Sequence, residues 1–537
     1  MGDEKLLSGN EAIALGSYQA GVRVGTGYPG TPSTEILEAL IKYRGVYTEW
    51  SINEKVALEI AVGSSLAGAR TLVTMKHVGL NVASDPLFTA SYVGLRGGLV
   101  IACADDPGMH SSQNEQDNRH YAYAAKVPLL EPSDSQEAKD FTRFAFDLSE
   151  RYDTPVIVRS TTRISHSRCV VKNTDIEIRE ATETPDIGFI KNPKKYVMIP
   201  AYARYRHIEV EKRMEKLKQD VNTFDINRME IASREIGFIT SGISYCYLKE
   251  VFPEASVLKL GITNPLPELL IRKFFNEVDR VIVLEELDPY LEIRIRAMGY
   301  DVEGKKYFPI TGELDPDTVR KGIEKAGYLK EKKLTFLSSE INNNLPPRPP
   351  ALCNGCPHRY IFKTLQKTGA IITGDIGCYT LGALPPYNAM DTCIEMGGSI
   401  GVAQGIEIAE GFDPKRPIVA VIGDSTFAHS GITGLVNSAY NRRKVLIIVL
   451  DNGTTAMTGM QPNPLSGMRI NGEETVTLDY EYLAKSVSID DDCFRIVDAY
   501  KEDEISEAIE EFTKKDKLCL LVIKGLCVIL RRKMKKK

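Results

Sequence analysis

The sequence predicts an α/β protein built from open, largely parallel sheets, and three observations carry that expectation. Short apolar, β-rich runs recur in three stretches: 22–28, 71–75 and 99–104; 236–240, 256–260 and 280–284; 418–422 and 445–450. Helical segments, several rich in small residues, alternate with those runs, the pattern of βαβ units. The runs end in Gly, Asp, Asn or Ser turns, which mark strand ends. With 537 residues, one core is not expected; two to four domains are.

Apolar residues make up 43% and charged residues 26% of the chain, proportions that fit a globular protein rather than a disordered or membrane-embedded one. The net charge of −5 gives no reason to expect nucleic acid or an anionic membrane as a partner. The start, MGDEKLLSGNEA, is acidic and lacks the basic and apolar regions of a signal peptide. Leu6 stands where a myristoylation signal needs Ser or Thr. Residues 518–530 form a long apolar run, yet it is only 13 residues and holds Lys524, short of the roughly 20 that span a bilayer. A cytoplasmic protein is expected. Ten Cys in a chain of this length suggest metal or redox chemistry rather than a disulfide scaffold.

Residues 1–185 read as the first domain. A helix over 9–20 precedes the strand 22–28 and the turn PGTPSTE at 29–35, where Ser33 or Thr34 is a natural helix cap. Glu54 heads a helix rich in Ala and Gly over 55–69. Its plain reading is a first-turn carboxylate favoured by the helix dipole. The strand 71–75, the loop 77–81, the strand 99–104 and the polar loop 105–120 follow, and 155–159 reads as the last strand. Residues 186–230 form a charged helical linker whose run EVEKRMEKLKQD reads as a solvated face. A second α/β segment covers 231–335, with Ser241-Gly242 and Glu285-Glu286 at strand ends and a helix over 269–275. NNNLPPRPP at 342–350 reads as a stiff linker.

The last segment, 345–537, carries the densest chemistry. The strand 418–422 breaks at Gly423-Asp424, and the strand 445–450 ends in Asp451-Asn452-Gly453. Asp424 and Asn452 lie 28 positions apart, one βαβ crossover, so they belong at the carboxyl ends of neighbouring parallel strands, where open sheets bind ligands. Asp, Asn and a nearby carbonyl supply the hard oxygens that Mg²⁺ takes beside a phosphate. The plain alternative is an ordinary strand-end turn. Cys353-x-x-Cys356 opens the segment, Cys378 follows 22 residues on, and Cys527 lies near the end. CxxC alone reads as zinc knuckle, redox dithiol or cluster ligand pair. Four such thiolates suit one 4Fe–4S cluster or zinc, with Cys393 competing as fourth ligand. Cys103, Cys169, Cys246, Cys493 and Cys519 read as core or incidental thiols. His429, in the loop 423–431, is either a substrate-polarising group or a structural cap; His77 and His358 are comparable candidates.

GYPGTPSTEI (27–36), EWSINEKVALEIAVGSSLAGARTLVTMKHVGLN (49–81) and the GD…N block resemble the alpha subunits of indolepyruvate:ferredoxin oxidoreductases, within the thiamine diphosphate-dependent 2-oxoacid:ferredoxin oxidoreductases. The likeness extends from about residue 6 to about residue 530. It implies a three-domain thiamine diphosphate-binding architecture: a pyrimidine domain, a transketolase C-terminal-like domain and a diphosphate domain, with the cofactor in a cleft between first and third. It implies Asp424, Asn452 and the Thr454 carbonyl as Mg²⁺ ligands, and Gly423, Ser425 and Met457 as further cofactor contacts. Glu54 would activate the aminopyrimidine through its ring N1′. Thr31 and Arg119 would lie near the substrate carboxylate and keto oxygen. Cys353, Cys356, Cys378 and Cys527 would hold the 4Fe–4S cluster.

The implied reaction is oxidative decarboxylation of an aryl 2-oxoacid with CoA, the electrons leaving to ferredoxin. No CoA site is legible, so a smaller beta subunit is expected, in a dimer of heterodimers. The chain departs from the family after Arg531-Arg532: no ferredoxin-like CxxCxxC run follows. A separate iron–sulfur subunit docking there is one account; loss of the ferredoxin outlet is the other. Two further readings stay open: a non-redox thiamine-dependent lyase and a non-catalytic thiamine-binding subunit.

Overall fold

The computed structural model describes residues 3–173, 188–329, 346, 348–410 and 416–535. Most of the expected linker at 342–350, the segment boundaries at 185 and 335, and the last two residues of the basic tail lie outside them. The chain forms two compact units, 1–335 and 336–537.

The first unit holds a seven-stranded sheet in the order Ile262–Asn264, Leu129–Leu130, Val156–Thr161, Leu99–Asp105, Thr71–Lys76, Val24–Gly27 and Tyr47–Trp50. All neighbours run parallel except Ile262–Asn264, which pairs antiparallel with Leu129–Leu130. Its central strands Thr71–Lys76, Leu99–Asp105 and Val156–Thr161 are buried at every position, as parallel strands covered on both faces must be. A second sheet orders Val281–Leu284, Gly237–Ser241, Ser256–Leu260 and Arg228–Glu230, the last antiparallel. The segment 231–335 therefore has its own sheet yet lends an edge strand, Ile262–Asn264, to the first; the two share one unit.

Several local expectations change. The strand at 156–161 is not the last of its region: Arg168–Asn173 follows and pairs antiparallel with Asp3–Ser8. Residues 77–81 are not a loop but most of the helix His77–Val82; burial of His77, Gly79 and Leu80 overrides their turn-like composition. Ser33 takes the N-cap position of the helix Thr34–Leu40, but its hydroxyl makes no capping hydrogen bond and donates instead to the Gly30 carbonyl at 2.8 Å. The helix Pro200–Asp220 is not simply solvated: Val210, Arg213, Met214 and Leu217 are buried, and Arg213 donates to the Ser91 carbonyl at 3.0 Å.

The second unit is organised on a fully parallel six-stranded sheet in the order Thr392–Cys393, Ile371–Gly374, Ile418–Gly423, Leu446–Asp451, Cys519–Lys524 and Phe494–Asp498. Ile418–Gly423 is buried throughout; each such Ile or Val contributes roughly 1.5–3 kcal/mol by burial. The expected adjacency is present: Ile418–Gly423 and Leu446–Asp451 pair in parallel, with Gly423 opposite Leu450. Among the described residues no helix is long and apolar enough to cross a membrane.

Candidate functional site

In the second unit, four neighbouring strands deliver their following residues to one edge of the sheet. Ile371–Gly374 leads to Asp375 and Cys378, Ile418–Gly423 to Asp424, Leu446–Asp451 to Asn452, and Cys519–Lys524 to Cys527. Gly423 has to be glycine: a Cβ there would lie 2.6 Å from the Tyr379 ring. Asp424 opens a short helix that continues as the π-helical turn Phe427–Gly431.

Asp424 is 2% exposed, and its Oδ2 accepts from Asn463 Nδ2 at 3.2 Å. Burial pushes its carboxyl up to about 7, and the Asp451 carboxylate adds to the rise; backbone N–H groups and Asn463 oppose it. Among the described residues no cationic side chain pairs with it. Asn452 is buried; its Oδ1 accepts from the Thr454 N–H at 3.1 Å, and its Nδ2 lies 3.4 Å from His358 Nε2. Burial lowers His358 to about 4, so the ring is neutral and can accept from Asn452. Thr455 Oγ1 donates to Ser425 Oγ at 2.8 Å, tying the two strand-end turns together. Gly453 makes the Asn452 turn with a φ of 74°. Thr454 Oγ1 donates to the Gln461 carbonyl. His429 is buried in the π-helical turn with Nδ1 2.9 Å from Ser430 Oγ. Met457 is 49% exposed in the following loop.

The cysteines gather at the same edge. Cys356 N–H donates to the Cys353 carbonyl at 3.1 Å around Gly355, whose φ is 77°. Burial raises the Cys356 thiol to about 11, with Cys353 and Cys527 adding negative charge. Cys378 rises to about 12 through burial, then through Cys356, Cys527, Cys353 and Asp424. Cys527 donates its N–H to the Asn452 carbonyl at 3.0 Å. Cys393 instead responds to burial and Asp375, not to these thiols. No three of the four sulfurs lie within 4.8 Å of one another. One tetrahedral Zn²⁺, with Zn–S of about 2.3 Å, would hold sulfurs about 3.8 Å apart.

In the first unit, the strands Tyr47–Trp50, Val24–Gly27, Thr71–Lys76 and Leu99–Asp105 also send functional side chains to one carboxyl edge. Glu54 begins the helix Glu54–Leu66 and is 4% exposed; the cap is Asn53, which accepts from the Val56 N–H at 2.9 Å. Gly79 leaves the space its carboxyl occupies. Thr31 is half-buried, and its carbonyl accepts from Ser111 Oγ at 2.9 Å. His77 Nε2 lies 3.1 Å from the Asn114 carbonyl.

Arg119, expected by resemblance near the substrate carboxylate and keto oxygen, is engaged by carboxylates of its own chain. It is fully buried, its Nε donates to Asp117, its Nη1 to Glu285 at 2.7 Å, and its Nη2 to Asp117 and the Glu286 and Asp288 carbonyls. Two carboxylates already match its charge, so the side chain serves as an internal tie.

Residues 15–229 match the family described as "Pyruvate flavodoxin/ferredoxin oxidoreductase, thiamine diP-bdg", and 375–523 match "Thiamine pyrophosphate enzyme, C-terminal TPP binding domain". The chain is 41% identical to indolepyruvate oxidoreductase subunit IorA of Archaeoglobus fulgidus, covering 98% of this chain and 87% of that one. The Pyrococcus horikoshii subunit of the same name is also 41% identical, over 99% and 86%. The chain belongs to the indolepyruvate oxidoreductase subunit IorA family. It is a subunit of a thiamine diphosphate-dependent 2-oxoacid oxidoreductase. The 2-oxoglutarate:ferredoxin oxidoreductase of Magnetococcus marinus shares the fold, with a TM-score of 0.50 at 18% identity over 60% of this chain and 65% of that one.

The matched thiamine-binding segments imply thiamine diphosphate, and the strand-end residues of this chain would suit its Mg²⁺-diphosphate end. Asp424 is a buried carboxyl met by the neutral Asn463 amide, and Asn452, at the end of the neighbouring strand, offers an amide oxygen; both are hard oxygen ligands. Residues that sequence reasoning passed over are Lys76, Gly79, Tyr379 and Asn463. For Lys76 a signal existed, a cation closing a strand of otherwise uncharged residues; for Asn463, in a loop 39 positions from Asp424, there was none.

Proposed function

We propose that this subunit oxidatively decarboxylates aryl 2-oxoacids, with CoA taking the acyl group and a 4Fe–4S cluster passing electrons toward ferredoxin. The observation that carries this reading is the joining of the thiol set to the diphosphate anchor: Cys527 N–H donates to the Asn452 carbonyl, and Cys378 responds to the Asp424 charge. Thiamine diphosphate supplies, when bound, the nucleophilic carbon and the electron sink that decarboxylation of a 2-oxoacid requires.

The chain's own residues prepare that chemistry. Asp424 and Asn452, with the Thr454 carbonyl, would hold Mg²⁺, and the neutral His358 would keep the Asn452 amide oriented. Gly423, Ser425 and Met457 would contact the cofactor. Glu54, buried at its helix start, would hold a proton against ring N1′. Thr31 would flank the substrate, and His429 would stand in the turn behind Asp424. Cys353, Cys356, Cys378 and Cys527 would ligate the cluster. A smaller beta subunit would complete the enzyme in a dimer of heterodimers, with ferredoxin or a separate iron–sulfur subunit as acceptor and the cytoplasm as setting.

The test is anaerobic purification with iron, sulfide and thiamine analysis, then a panel of 2-oxoacids with CoA and a dye acceptor. About four iron and four sulfide per chain are expected, with dye reduction that depends on an aryl 2-oxoacid and CoA. A zinc-only protein, or decarboxylation that proceeds without an acceptor, would overturn the redox reading.

A further inference from the structure

Among the described residues of the first unit, seven Lys and Arg side chains are buried: Arg70, Lys76, Arg119, Lys139, Arg159, Arg213 and Lys259. Five of them sit within 4.0 Å of a carboxylate, such as Arg70 on Glu150 and Lys259 on Glu137. Among the described residues Arg213 has no ion-pair partner, but it donates to the Asp153 and Ser91 carbonyls and to Ser91 Oγ. Lys76 is the exception. It is 9% exposed, and its one described hydrogen bond is from Nζ to the Ser111 carbonyl at 3.1 Å. An ammonium carries three donors, so two are left for something else. Glu54 and Asp106 act on it through space, yet among the described residues no carboxylate reaches ion-pair distance. Burying an unmatched cation costs several kcal/mol unless a ligand supplies the anion.

Its surroundings say which ligand. Lys76 ends the strand Thr71–Lys76, at the edge that also carries Thr31, Glu54 and Asp106. Its stem packs against Gly30, where a Cβ would lie 3.1 Å from Cγ and Cδ. Ser111 binds it to the Thr31 turn: the Ser111 carbonyl accepts from Lys76 and the Ser111 hydroxyl donates to the Thr31 carbonyl. Asp106 Oδ2 anchors that serine through its N–H at 2.8 Å. The cation and the Thr31 turn are thus set by one residue, beside the carboxyl of Glu54.

We propose that Lys76 receives the carboxylate of the 2-oxoacid substrate, the task that Arg119, with its charge already matched, does not perform. This rests on the reading of the chain as a 2-oxoacid oxidoreductase. Burial holds the free ammonium at about 8, a displacement that an arriving carboxylate would reverse.

The experiment measures binding and turnover in the complete enzyme, loaded with thiamine diphosphate, for wild type, Lys76→Met and Lys76→Arg. Two probes are compared: the 2-oxoacid oxidised best by wild type, and its primary amide, which keeps the keto group and side chain but loses the charge. Lys76→Met should raise KM and Kd for the acid about 10- to 100-fold, the loss expected of a charge-assisted hydrogen bond. Its affinity for the amide and its thiamine content should stay within about threefold of wild type, its melting temperature should not fall, and Lys76→Arg should recover part of the acid affinity. If wild type binds the acid and Lys76→Met binds it equally well, the assignment falls while the reaction stands. If acid and amide weaken in parallel, Lys76 is structural and the assignment also falls. If wild type binds and oxidises no 2-oxoacid at all, the functional reading falls and takes this assignment with it.

Discussion

Gly79 and Glu54 touch: a Cβ built on Gly79 would stand 2.6 Å from Glu54 Oε1, 2.7 Å from Cγ and 2.9 Å from Cδ. Gly79 lies within the helix His77–Val82, where Ala is an easier residue for the backbone than Gly. Gly79→Ala therefore leaves the helix sound and displaces the carboxyl. With Glu54 as the N1′ partner, turnover should fall at least about 100-fold, since general acid–base groups contribute roughly 10²–10⁴-fold. Melting temperature should move little, and Glu54→Gln should lose turnover similarly while retaining thiamine diphosphate. Unchanged turnover in both variants would remove Glu54 from the reaction.

The fourth thiol gives a second test. Cys527 stands with Cys353, Cys356 and Cys378, whereas Cys393 is influenced by Asp375. Cys527→Ala should lose most of the bound iron and the visible absorbance of the anaerobic protein. Cys393→Ala should keep both close to wild type, as a residue outside the four cluster thiolates would. The reverse pattern would make Cys393 the ligand.

The sheet edges were legible because apolar runs ending in Gly-Asp or Asp-Asn-Gly leave few other folds. Asp424 and Asn452 could be placed on adjoining strands from the 28 positions between them, and the pairing of Gly423 with Leu450 agrees. What escaped was information carried by long-range packing. The strand Arg168–Asn173 needs Asp3–Ser8 as its partner, and Ile262–Asn264 needs Leu129–Leu130. The short spans do not announce those pairings. The ion pairing of Arg119 escaped for a related reason: its place near the substrate came from the resemblance, and its partner Glu285 lies 166 positions away. Lys76 was overlooked because a Lys at a strand end ordinarily faces water, and only the fold shows that this one is buried with no carboxylate at ion-pair distance among the described residues.

Arg119 yields the third prediction. Removing it leaves Asp117 and Glu285 buried without their shared partner. Breaking a buried pair from one side costs about 3–5 kcal/mol, so Arg119→Ala should unfold at clearly lower urea or temperature. Arg119→Lys keeps the charge and loses the forked geometry; it should lose stability while KM for the 2-oxoacid stays within about threefold. A tenfold rise in KM at unchanged stability would return Arg119 to the substrate.

Glu286 provides a pH test in the same unit. It is buried just after the strand Val281–Leu284, and its Oε1 accepts from the Leu314 N–H at 3.0 Å. Burial raises its carboxyl to about 7, against an ordinary 4.5; the Leu314 N–H and Arg159 oppose the rise. Because the folded value lies above the unfolded one, the folded protein binds more protons between about 4.5 and 7. The stabilisation is full below about 4.5 and is lost as pH rises through about 7. A displacement of this size corresponds to about 3 kcal/mol. Glu286→Gln carries no such titration. Urea unfolding of both proteins at pH 5 and pH 8 should therefore show wild type losing stability relative to the variant by a few kcal/mol on going to the higher pH. Parallel curves would mean that Glu286 stays ionised in the folded protein, with a cationic partner holding it so.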